Sequence, residues 1–485
     1  MQFTREINRL FLGFLASLII IGLTALYWAV VGPDTLLLRE DNPRRVEAEA
    51  AIARGGIYDR GETLLATTES RSNRSAARHY LEPAAYSALG YYSLRYGVGG
   101  AEAAYDAILR GDTLERDLSG VLTRGLLHQP QQGSDVQLTL DLSIQQQLVA
   151  ALGERRGAAV MIGVPNGEVL AMVSLPTFDP NTLDQDWERL IADAGNPFFN
   201  RVLQGQYQPG GAMQIPLMAG ALLLNLPLDS AVEGATESVI VDDLTLGCAV
   251  RLPEMDLSLR EAFIFTCPKI FADFVSNQGP ETLDAIWRTF NFGQQSELNA
   301  FVANNTRTPA AVTTPEPVTA LDSADLLATA MGQGALTVSP MTMALLAAAI
   351  ANDGNAPQPY ILAAQRPPNA EAWGPVEAVR PSVPVTTTNN ARRLQDLMRN
   401  AVVAGAAQNA GRPAIDIGGH ASLAYSGDET QSWFVGFATL GGRRGVAIAV
   451  VLEDTDDPGL AADIGGGALA AAQAALVTPT ADAGS

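Results

Sequence analysis

The sequence predicts an α+β protein of two folded units that follows a single membrane-spanning helix. Leu10 to Val31 is a stretch of 22 residues without a charged side chain, long enough to cross a bilayer as a helix. Two apolar runs joined by Pro165-Asn166-Gly167 predict a β-hairpin, because Asn-Gly tolerates the positive φ of such turns. Ala461 to Leu476 is a helix of small residues that can pack closely on a sheet.

The length, composition and net charge of the chain limit the functions it can have. A chain of 485 residues with 47% apolar content can form a large core and a smaller unit. The net charge of -21 argues against nucleic acid as a partner, since phosphate binding needs a basic face. His79, His128 and His420 are far apart, and no residue cluster has metal-ligand spacing, so neither a metal nor a cofactor is expected.

The apolar stretch at residues 10–31 is predicted to be an anchor and not a cleaved signal peptide. It exceeds the roughly 7 to 15 residues of a signal-peptide apolar region, and no clear cleavage site follows it. Charge alone does not orient the span, because arginines stand on both sides of it. Arg5 and Arg9 precede the span, whereas Arg39, Arg44 and Arg45 follow it.

The chain has two cysteines, Cys248 and Cys267, which are too few for a disulfide framework. Outside the cytoplasm they could pair and close a loop of about twenty residues, which contributes about 3 kcal/mol on the chain-entropy model. Two free buried thiols are the alternative. The residues alone do not choose between them.

The stretch from Tyr207 to Ile215 is built like an acylation site without its reactive groups. A Pro-Gly turn opens a buried helix, and at this junction a serine acyl-transfer enzyme places a Ser and, one turn later, a Lys. Gly211 and Gln214 stand at those two positions. Lys269 is the only lysine in the chain, and it stands elsewhere.

Together with Asn200-Arg201, this stretch resembles the first motif of class B penicillin-binding proteins, the membrane-anchored D,D-transpeptidases that cross-link peptidoglycan. The resemblance runs in order from about Arg54 to Leu476. Further matching stretches are Arg54 to Ala66 at the start of the family's pedestal domain, Leu175 to Asn181 after the hairpin, and Met331-Gly332-Gln333-Gly334 before Val338-Ser339-Pro340.

The resemblance implies two further motifs that meet the first in one cleft, a Ser-x-Asn and a Lys-Thr-Gly strand edge. Their places hold Thr266-Cys267-Pro268 and His420-Ala421-Ser422. The family's reactive residues are therefore replaced in all three motifs. Lys269 is the candidate for a displaced amine, and Thr266 or Ser422 for a displaced hydroxyl, although a solvated Lys and a satisfied Thr are the simpler interpretation.

The resemblance also implies the domain organisation. Its parts are a cytoplasmic N-terminus (1–9), a transmembrane helix (10–31), an elongated pedestal domain (45–150), a transpeptidase-like domain (151–476) and a disordered tail (477–485). The transpeptidase-like domain is expected to have an antiparallel sheet with helices on both faces. Within it, residues 303–322 are rich in Thr, Pro and Ala and are predicted to be a surface loop.

Because the nucleophile and base positions are substituted, the sequence predicts a catalytically inactive scaffold or regulatory subunit of peptidoglycan synthesis. Two alternatives stay open: an active D,D-transpeptidase or carboxypeptidase with displaced groups, and a non-covalent receptor for wall peptides or β-lactams. The expected location is the bacterial plasma membrane, with most of the chain outside the cytoplasm. The expected partners are cell-wall synthesis, division or elongation proteins, and peptidoglycan peptides.

Overall fold

The computed structural model describes residues 3–30, 49–70, 76–113, 131–290, 298, 323–334, 336–375, 381–442 and 444–477. His128, the surface loop predicted at 303–322 and residues 478–485 of the predicted tail lie outside this part of the chain. The chain divides into two compact units. The larger one comprises residues 54–67, 78–115 and 133–485, and the other segments form the smaller one.

The described helices, in chain order, are α1 (Phe3–Val30), α2 (Tyr86–Leu89), α3 (Gly100–Ala104), α4 (Asp106–Arg110), α5 (Leu142–Leu152), α6 (Leu183–Ile191), α7 (Arg201–Gln204), α8 (Gln214–Leu223), α9 (Leu259–Ile264), α10 (Lys269–Gln278), α11 (Pro280–Thr289), α12 (Ser323–Ala330), α13 (Pro340–Ala351), α14 (Thr388–Ala404) and α15 (Pro458–Val477).

The described strands are β1 (Ile57–Tyr58), β2 (Leu64–Ser70), β3 (Ala76–Tyr80), β4 (Tyr91–Ser93), β5 (Gly97–Gly99), β6 (Asp135–Leu138), β7 (Gly157–Val164), β8 (Val169–Leu175), β9 (Ala231–Val232), β10 (Val239–Val241), β11 (Leu244–Leu246), β12 (Leu257–Ser258), β13 (Asn355–Ala356), β14 (Leu362–Arg366), β15 (Gly374–Pro375), β16 (Val383–Pro384), β17 (Asp416–Ser426), β18 (Glu429–Gly441) and β19 (Arg444–Leu452).

Helix α1 in the smaller unit contains most of the predicted span, but it begins at Phe3 and not at Leu10. The earlier start follows from the sequence, since residues 3–9 hold no Pro or Gly that would end a helix. Its apolar side chains are exposed, with Leu10 at 75% and Phe14 at 70%. Among the described residues, α15 is the one other helix long and apolar enough to cross a membrane.

A six-stranded sheet in the larger unit has the strand order β15-β14-β6-β1-β2-β3. β1 pairs antiparallel with β2 and parallel with β6, so the start of the predicted pedestal meets its end. Strand β14 comes from much later in the chain and pairs antiparallel with β6. Strand β6, which leads into the second predicted domain, is therefore hydrogen-bonded to a strand on each side.

Arg54, Arg78 and Glu102 form a network of buried ion pairs near this sheet. Glu102 is fully buried and accepts hydrogen bonds from Arg54 Nη2 at 2.8 Å and from Arg78 Nε at 2.6 Å. Burial alone would raise the pKa of Glu102, but the two guanidinium groups hold it below its usual value. The three side chains join the start of the chain's larger unit to α3 and β3, because each charge is paired by the others.

The central sheet is antiparallel throughout, with the order β17-β18-β19-β7-β8. The hairpin predicted at Pro165-Asn166-Gly167 is confirmed and joins β7 to β8. The residues Gln431 to Ala438 and Gly445 to Glu453 alternate as neighbouring strands should, and the structure forms β18 and β19 there, with β17 at the free edge beside β18.

Helices cover both faces of this sheet, as predicted, because successive side chains of a buried strand point to opposite sides. On β19, Ala447 and Val451 belong to a core cluster with Ile350 of α13. The alternate residues, Ile448 and Val450, belong to a second cluster that contains α5 and α15. Buried residues on one side of α15 pack in that cluster, so this apolar helix is a core helix of the sheet.

Close packing of α15 depends on glycine. A Cβ at Gly465 would lie 2.1 Å from Phe434 Cδ1, and one at Gly466 would lie 2.2 Å from the Ala410 carbonyl oxygen. The next residue, Gly467, has nothing nearer than 3.6 Å. The small-residue composition predicted this packing but not which glycines it requires.

The expectation for α5 is corrected. The sequence suggests Ser143 as the helix cap, but Asp141 is the N-cap residue and its carboxylate accepts hydrogen bonds from the Ser143 and Ile144 amides. A carboxylate at this position is also favoured by the positive end of the helix dipole.

Candidate active site

The first motif forms a short 3-10 turn, Gly210–Met213, which continues directly into α8. Gly210 has a φ of 52°, and a Cβ there would lie 2.1 Å from the Leu423 carbonyl oxygen, so only glycine fits. Its amide donates to the Gly332 carbonyl at 3.0 Å. This places the turn between β17 and the Gly-Gln-Gly segment before α13.

A second set of contacts fixes the loop before that turn. Glu453, at the end of β19, accepts hydrogen bonds from the Tyr207 hydroxyl at 2.7 Å and from Arg201 Nε at 2.8 Å. Trp433 Nε1 donates to the Gln208 carbonyl at 3.0 Å. The motif that includes Asn200-Arg201 did not predict the pairing of Arg201 with Glu453. Their separation along the chain left no local signal for this contact.

The second motif lies between α9 and α10. Helix α9 starts with a capping box, in which Ser258 and Glu261 satisfy each other's backbone amides, and ends at Phe265. Thr266 then adopts a φ of 55°, which is strained for a β-branched residue. The reversal turns the Thr266 side chain towards β17, and Pro268 precedes the first residue of α10.

The third motif lies in the middle of β17. His420, Ala421 and Ser422 are each fully buried. Their neighbours on β18 are Val435, Phe434 and Trp433, with which they pair in register. The motif therefore occupies the inner part of the edge strand and not an exposed loop.

The structure brings the three motif positions together. A Cβ at Gly211 would lie 2.9 Å from Thr266 Cγ2 and 3.0 Å from Ser422 Cβ. Thr266 Oγ1 lies 3.3 Å from His420 Nε2 and donates to the Ala421 carbonyl at 3.0 Å. The convergence that the resemblance implied is thus present, with a hydroxyl and an imidazole in contact.

A cavity of about 270 Å³ opens beside these residues. Four of the seven motif residues named from the sequence, Gly211, Gln214, Thr266 and Pro268, form part of its wall, whereas His420, Ala421 and Ser422 lie behind that wall. The residues lining it are Gly210, Gly211, Met213, Gln214, Leu246, Gly247, Cys248, Ala249, Thr266, Pro268, Ala330, Met331, Gln333, Leu423 and Tyr425.

The part of the wall formed by Gly247, Ala249 and Tyr425 was not predicted from the sequence. The Gly-Gln-Gly segment was predicted to matter, and its Gln333 Oε1 accepts a hydrogen bond from the Tyr425 amide at 3.1 Å. The missed residues carry no motif of their own, so only their position in the fold identifies them.

Burial sets the electrostatics of the site. Removal from water lowers the pKa of His420 to about 3, so the imidazole is neutral at physiological pH. Several buried polar atoms lack a hydrogen-bond partner among the described residues, and three of them belong to the motif positions: His420 Nδ1, Ser422 Oγ and Gln214 Oε1. A polar atom left unpaired at a site is a candidate contact for a ligand.

Lys269, the candidate for a displaced amine, forms an ion pair within its own helix. Lys269 Nζ lies 2.7 and 2.6 Å from the two carboxylate oxygens of Asp273, one turn along α10. Its side chain is 28% exposed, and it does not line the cavity. As the first residue of α10, it points along its own helix and not back across Pro268.

The structure joins Cys248 to Cys267 by a disulfide bond with an S–S distance of 2.03 Å. Cys248 is in the cavity wall, and Cys267 follows Thr266 directly. The bond therefore ties the wall segment after β11 to the turn that carries Thr266. Among the described residues no group of three or more His, Cys, Asp or Glu side chains is arranged to hold a metal.

Comparisons with known proteins agree with this fold. A family profile described as "Penicillin binding protein transpeptidase domain" matches residues 157–475, and one described as "Penicillin binding protein A dimerisation domain" matches residues 54–136. The chain is 28% identical to the peptidoglycan D,D-transpeptidase PbpA of Mycolicibacterium smegmatis, covering 96% of this chain and 98% of that protein. The Mycobacterium tuberculosis PbpA is also 28% identical, with 96% of each chain covered.

Solved structures give the same result. An imipenem acyl-enzyme complex of penicillin-binding protein A from M. tuberculosis superposes with a TM-score of 0.75 at 28% identity. The match covers 87% of this chain and 99% of that chain. A ceftriaxone acyl-enzyme complex of the same protein gives the same score and identity, with 88% of this chain covered.

These relatives correct the function expected from the sequence. The substituted motifs led to the expectation of an inactive scaffold or regulatory subunit, but the similar proteins are named as D,D-transpeptidases and match nearly the whole chain. The expectation was wrong because it equated the loss of the usual side chains with the loss of the activity. With a transpeptidase profile over well more than half of its length and a fold to match, the chain belongs to the penicillin-binding protein transpeptidase family.

Proposed function

We propose that this chain is a D,D-transpeptidase of peptidoglycan synthesis in which Thr266 is the nucleophile and His420 the general base. The observation that carries the proposal is the contact between their side chains, with Thr266 Oγ1 3.3 Å from His420 Nε2 and Thr266 on the cavity wall. The kind of activity is drawn from the relatives, which are named peptidoglycan D,D-transpeptidases.

The proposed chemistry departs from the serine and lysine pair that the family resemblance implies. Gly211 has no side chain, and the neutral amide of Gln214 is not a base. Thr266 approaches the vacated space, since its Cγ2 lies 2.9 Å from the place of a Cβ at Gly211. The methyl group of Thr266 therefore borders this space, while its hydroxyl contacts His420 and the Ala421 carbonyl.

In the acylation step, Thr266 Oγ1 forms a bond to the carbonyl carbon of the donor peptide and the peptide C–N bond breaks. The hydroxyl, which donates to the Ala421 carbonyl in the structure, must first rotate so that its hydrogen faces His420 Nε2. The proton then passes to His420 Nε2 and from there to the leaving amine. In the second step, an acceptor amine attacks the ester carbonyl and the bond to Thr266 breaks. The imidazole moves the proton from that amine to the departing oxygen, which restores both side chains. The resting imidazole must carry its own proton on Nδ1.

Burial of His420 has two opposite effects on this chemistry. It keeps the imidazole neutral, and therefore able to accept a proton, throughout the physiological pH range. It also makes the imidazolium form costly, and a base works best when its pKa lies near the operating pH. We therefore expect acylation to be slower than with a base of pKa near 7.

The test is covalent labelling of the full-length protein in detergent with a fluorescent penicillin, followed by peptide mapping. We expect an adduct on Thr266. Thr266→Val should abolish labelling because it removes only the hydroxyl, and Thr266→Ser should keep it. The matched control is Thr289→Val, which removes an exposed hydroxyl that bonds to the Ala285 carbonyl within its own helix. An adduct that persists in Thr266→Val, or its absence from the wild type, would overturn the proposal.

Within the same proposal, α1 anchors the chain in the bacterial plasma membrane and the larger unit works on the outer side. The pedestal at 45–150 would contact other cell-wall synthesis, division or elongation proteins, and the domain at 151–476 would bind peptidoglycan peptides. Support comes from the exposed apolar surface of α1 and from the two family profiles, whose matches fall inside these ranges.

A further inference from the structure

Glu453, directly after β19, binds three side chains from earlier parts of the chain. One carboxylate oxygen accepts hydrogen bonds from the Tyr207 hydroxyl at 2.7 Å and from Arg201 Nε at 2.8 Å. The other oxygen lies 2.9 Å from Arg156 Nη2. The side chains of Arg201 and Glu453 are 2% and 12% exposed. Water and salt therefore weaken these contacts less than they weaken an ion pair on the surface.

Tyr207 carries this contact into the loop before the first motif. Residues 205–213 contain no charged side chain, so within this loop the Tyr207 hydroxyl is the group that reaches Glu453. Burial, followed by the charge of Glu453, raises the pKa of Tyr207, which keeps the hydroxyl protonated and able to donate. The Tyr207 backbone pairs with Val338 through hydrogen bonds of 3.0 and 2.8 Å. Side chain and backbone are thus both fixed just before Gly210.

The turn that follows limits the Thr266 side chain. A Cβ at Gly211 would lie 2.9 Å from Thr266 Cγ2, so the methyl group packs where a side chain at 211 would stand. With the methyl group there, the hydroxyl lies 3.3 Å from His420 Nε2. A rotation of about 120° about the Cα–Cβ bond would move the hydroxyl away from the imidazole. Packing of the methyl group on the turn therefore favours the rotamer in which the hydroxyl faces His420.

From these contacts we infer that Glu453 is a positioning residue for acyl transfer: through Tyr207 it holds the first-motif turn, and that turn keeps the Thr266 hydroxyl beside His420. The inference rests on the proposed function for the reaction itself. Glu453 is not among the described residues that line the cavity. Loss of its contacts should therefore slow the covalent step and leave ligand binding nearly unchanged.

The kinetics of labelling by a fluorescent penicillin test this role in the full-length protein in detergent. The rate constant at saturating penicillin reports the covalent step, and the half-saturating concentration reports binding. Glu453→Gln replaces the carboxylate by an uncharged group of the same shape. We expect the saturated rate constant to fall about tenfold or more, and the half-saturating concentration to change by less than about twofold. An unchanged rate constant, or a loss of binding alone, would overturn the inference.

Glu102→Gln is the matched control, since Glu102 is also a buried carboxylate paired with two arginines, far from the loop in sequence. It should lower stability, and hence the amplitude of labelling, without changing the rate constant of the folded protein. An equal fall of the rate constant in this control would assign the effect to stability and overturn the inference.

Tyr207→Phe is the milder variant, because it removes one hydroxyl and keeps the pair of Arg201 and Glu453. It should slow the covalent step in the same way, and it serves as the test if Glu453→Gln does not fold. Because Tyr207 and Glu453 act as a unit, the double variant should be no slower than Glu453→Gln alone, within about twofold. Effects that multiply in the double variant would overturn the inference.

Hydrogen exchange of the same proteins tests the positioning without the reaction. In Glu453→Gln, and not in Glu102→Gln, the amides of Tyr207 and Gly210, which donate to backbone carbonyls, should exchange faster. Faster exchange with no adduct in the wild type would overturn the acyl-transfer proposal and leave the positioning of the turn supported. An adduct on Thr266, with exchange and rate unchanged in Glu453→Gln, would have the reverse meaning.

Discussion

Single side chains at the cavity owe their chemistry to their surroundings. His420 is fully buried next to Phe263, with ring centroids 4.9 Å apart, and among the described residues its imidazole has one hydrogen-bonding neighbour, Thr266. Thr266 in turn is oriented by its left-handed backbone. The pair exists because the turn after α9 faces β17.

The buried imidazole predicts a pH dependence of stability. In the unfolded chain, His420 should titrate near 6.5, whereas burial lowers its folded pKa to about 3. Between these values the unfolded state binds more protons, so this residue's contribution to stability is lost as pH falls below about 6.5. We expect it to lower the free energy of unfolding by about 2 kcal/mol between pH 7 and pH 5.

Urea denaturation at several pH values measures this effect. His420→Gln removes the titrating group, so the fall between pH 7 and 5 should shrink by that amount whatever the variant's absolute stability. Phe263→Leu is the control: it disturbs the same contact but keeps the imidazole, and its pH dependence should follow the wild type. If the free energy of unfolding of His420→Gln depended on pH as steeply as that of the wild type, the lowered pKa of His420 would be contradicted.

Two elements of the fold pack against neighbouring backbone so closely that only glycine fits at the contact. α15 approaches the turn that contains Ala410 through Gly466, and the 3-10 turn of the first motif approaches β17 through Gly210. In both places the atom in the way is a backbone atom, which a side-chain rotation cannot move. The spacing of apolar residues in the sequence predicts that these elements pack. The distance between the packed backbones then decides which side chain fits at the contact.

Neighbouring glycines of α15 should therefore respond to alanine with opposite signs. Gly466→Ala should destabilise the protein by about 2 to 4 kcal/mol, because its Cβ would lie 2.2 Å from the Ala410 carbonyl oxygen. Gly467→Ala should stabilise it by up to about 1 kcal/mol, since alanine favours helix and the nearest atom is 3.6 Å away. The urea concentration at the unfolding midpoint is compared between each variant and the wild type. A change of the same sign and size in both variants would contradict the packing of α15.

For the whole molecule, two helices compete as membrane spans on length and composition. α1 exposes its apolar side chains in the described region, whereas α15 buries one side in the core beside Phe434. The apolar side chains of α15 are therefore explained by its packing on the central sheet, without a membrane. Of these two helices, α1 is the one that leaves its apolar surface uncovered in the described part of the chain, as a membrane span would.

Deleting residues 1–31 should consequently release the protein from bacterial membranes. Full-length protein should stay in the pellet after an alkaline carbonate wash, because binding is by an apolar helix and not by charge. Deletion of residues 478–485 serves as the control and should leave the protein in the pellet. If the N-terminal deletion also remained membrane-bound, α15 or another surface would have to hold it.

Much of the fold was predictable from the sequence because it depends on local signals. The uncharged stretch predicts α1, Asn-Gly turns predict hairpins such as β7-β8, and the small-residue helix α15 matches the sheet it packs on. The places of all three motifs were predictable too, because flanking residues keep their order. Boundaries such as the start of α1 and the Asp141 cap were less accurate, since several polar residues can serve each end.

What the sequence alone determined is which side chains are available: no serine at 211, one lysine in the chain, and a net charge of -21. Only the tertiary structure decided how they are used. It brought Thr266 within 3.3 Å of His420 and placed both beside the cavity formed by Gly211, Gln214 and Tyr425. The physical reason is distance along the chain: contacts across more than 150 residues depend on how the sheet and helices pack, and no local pattern encodes them.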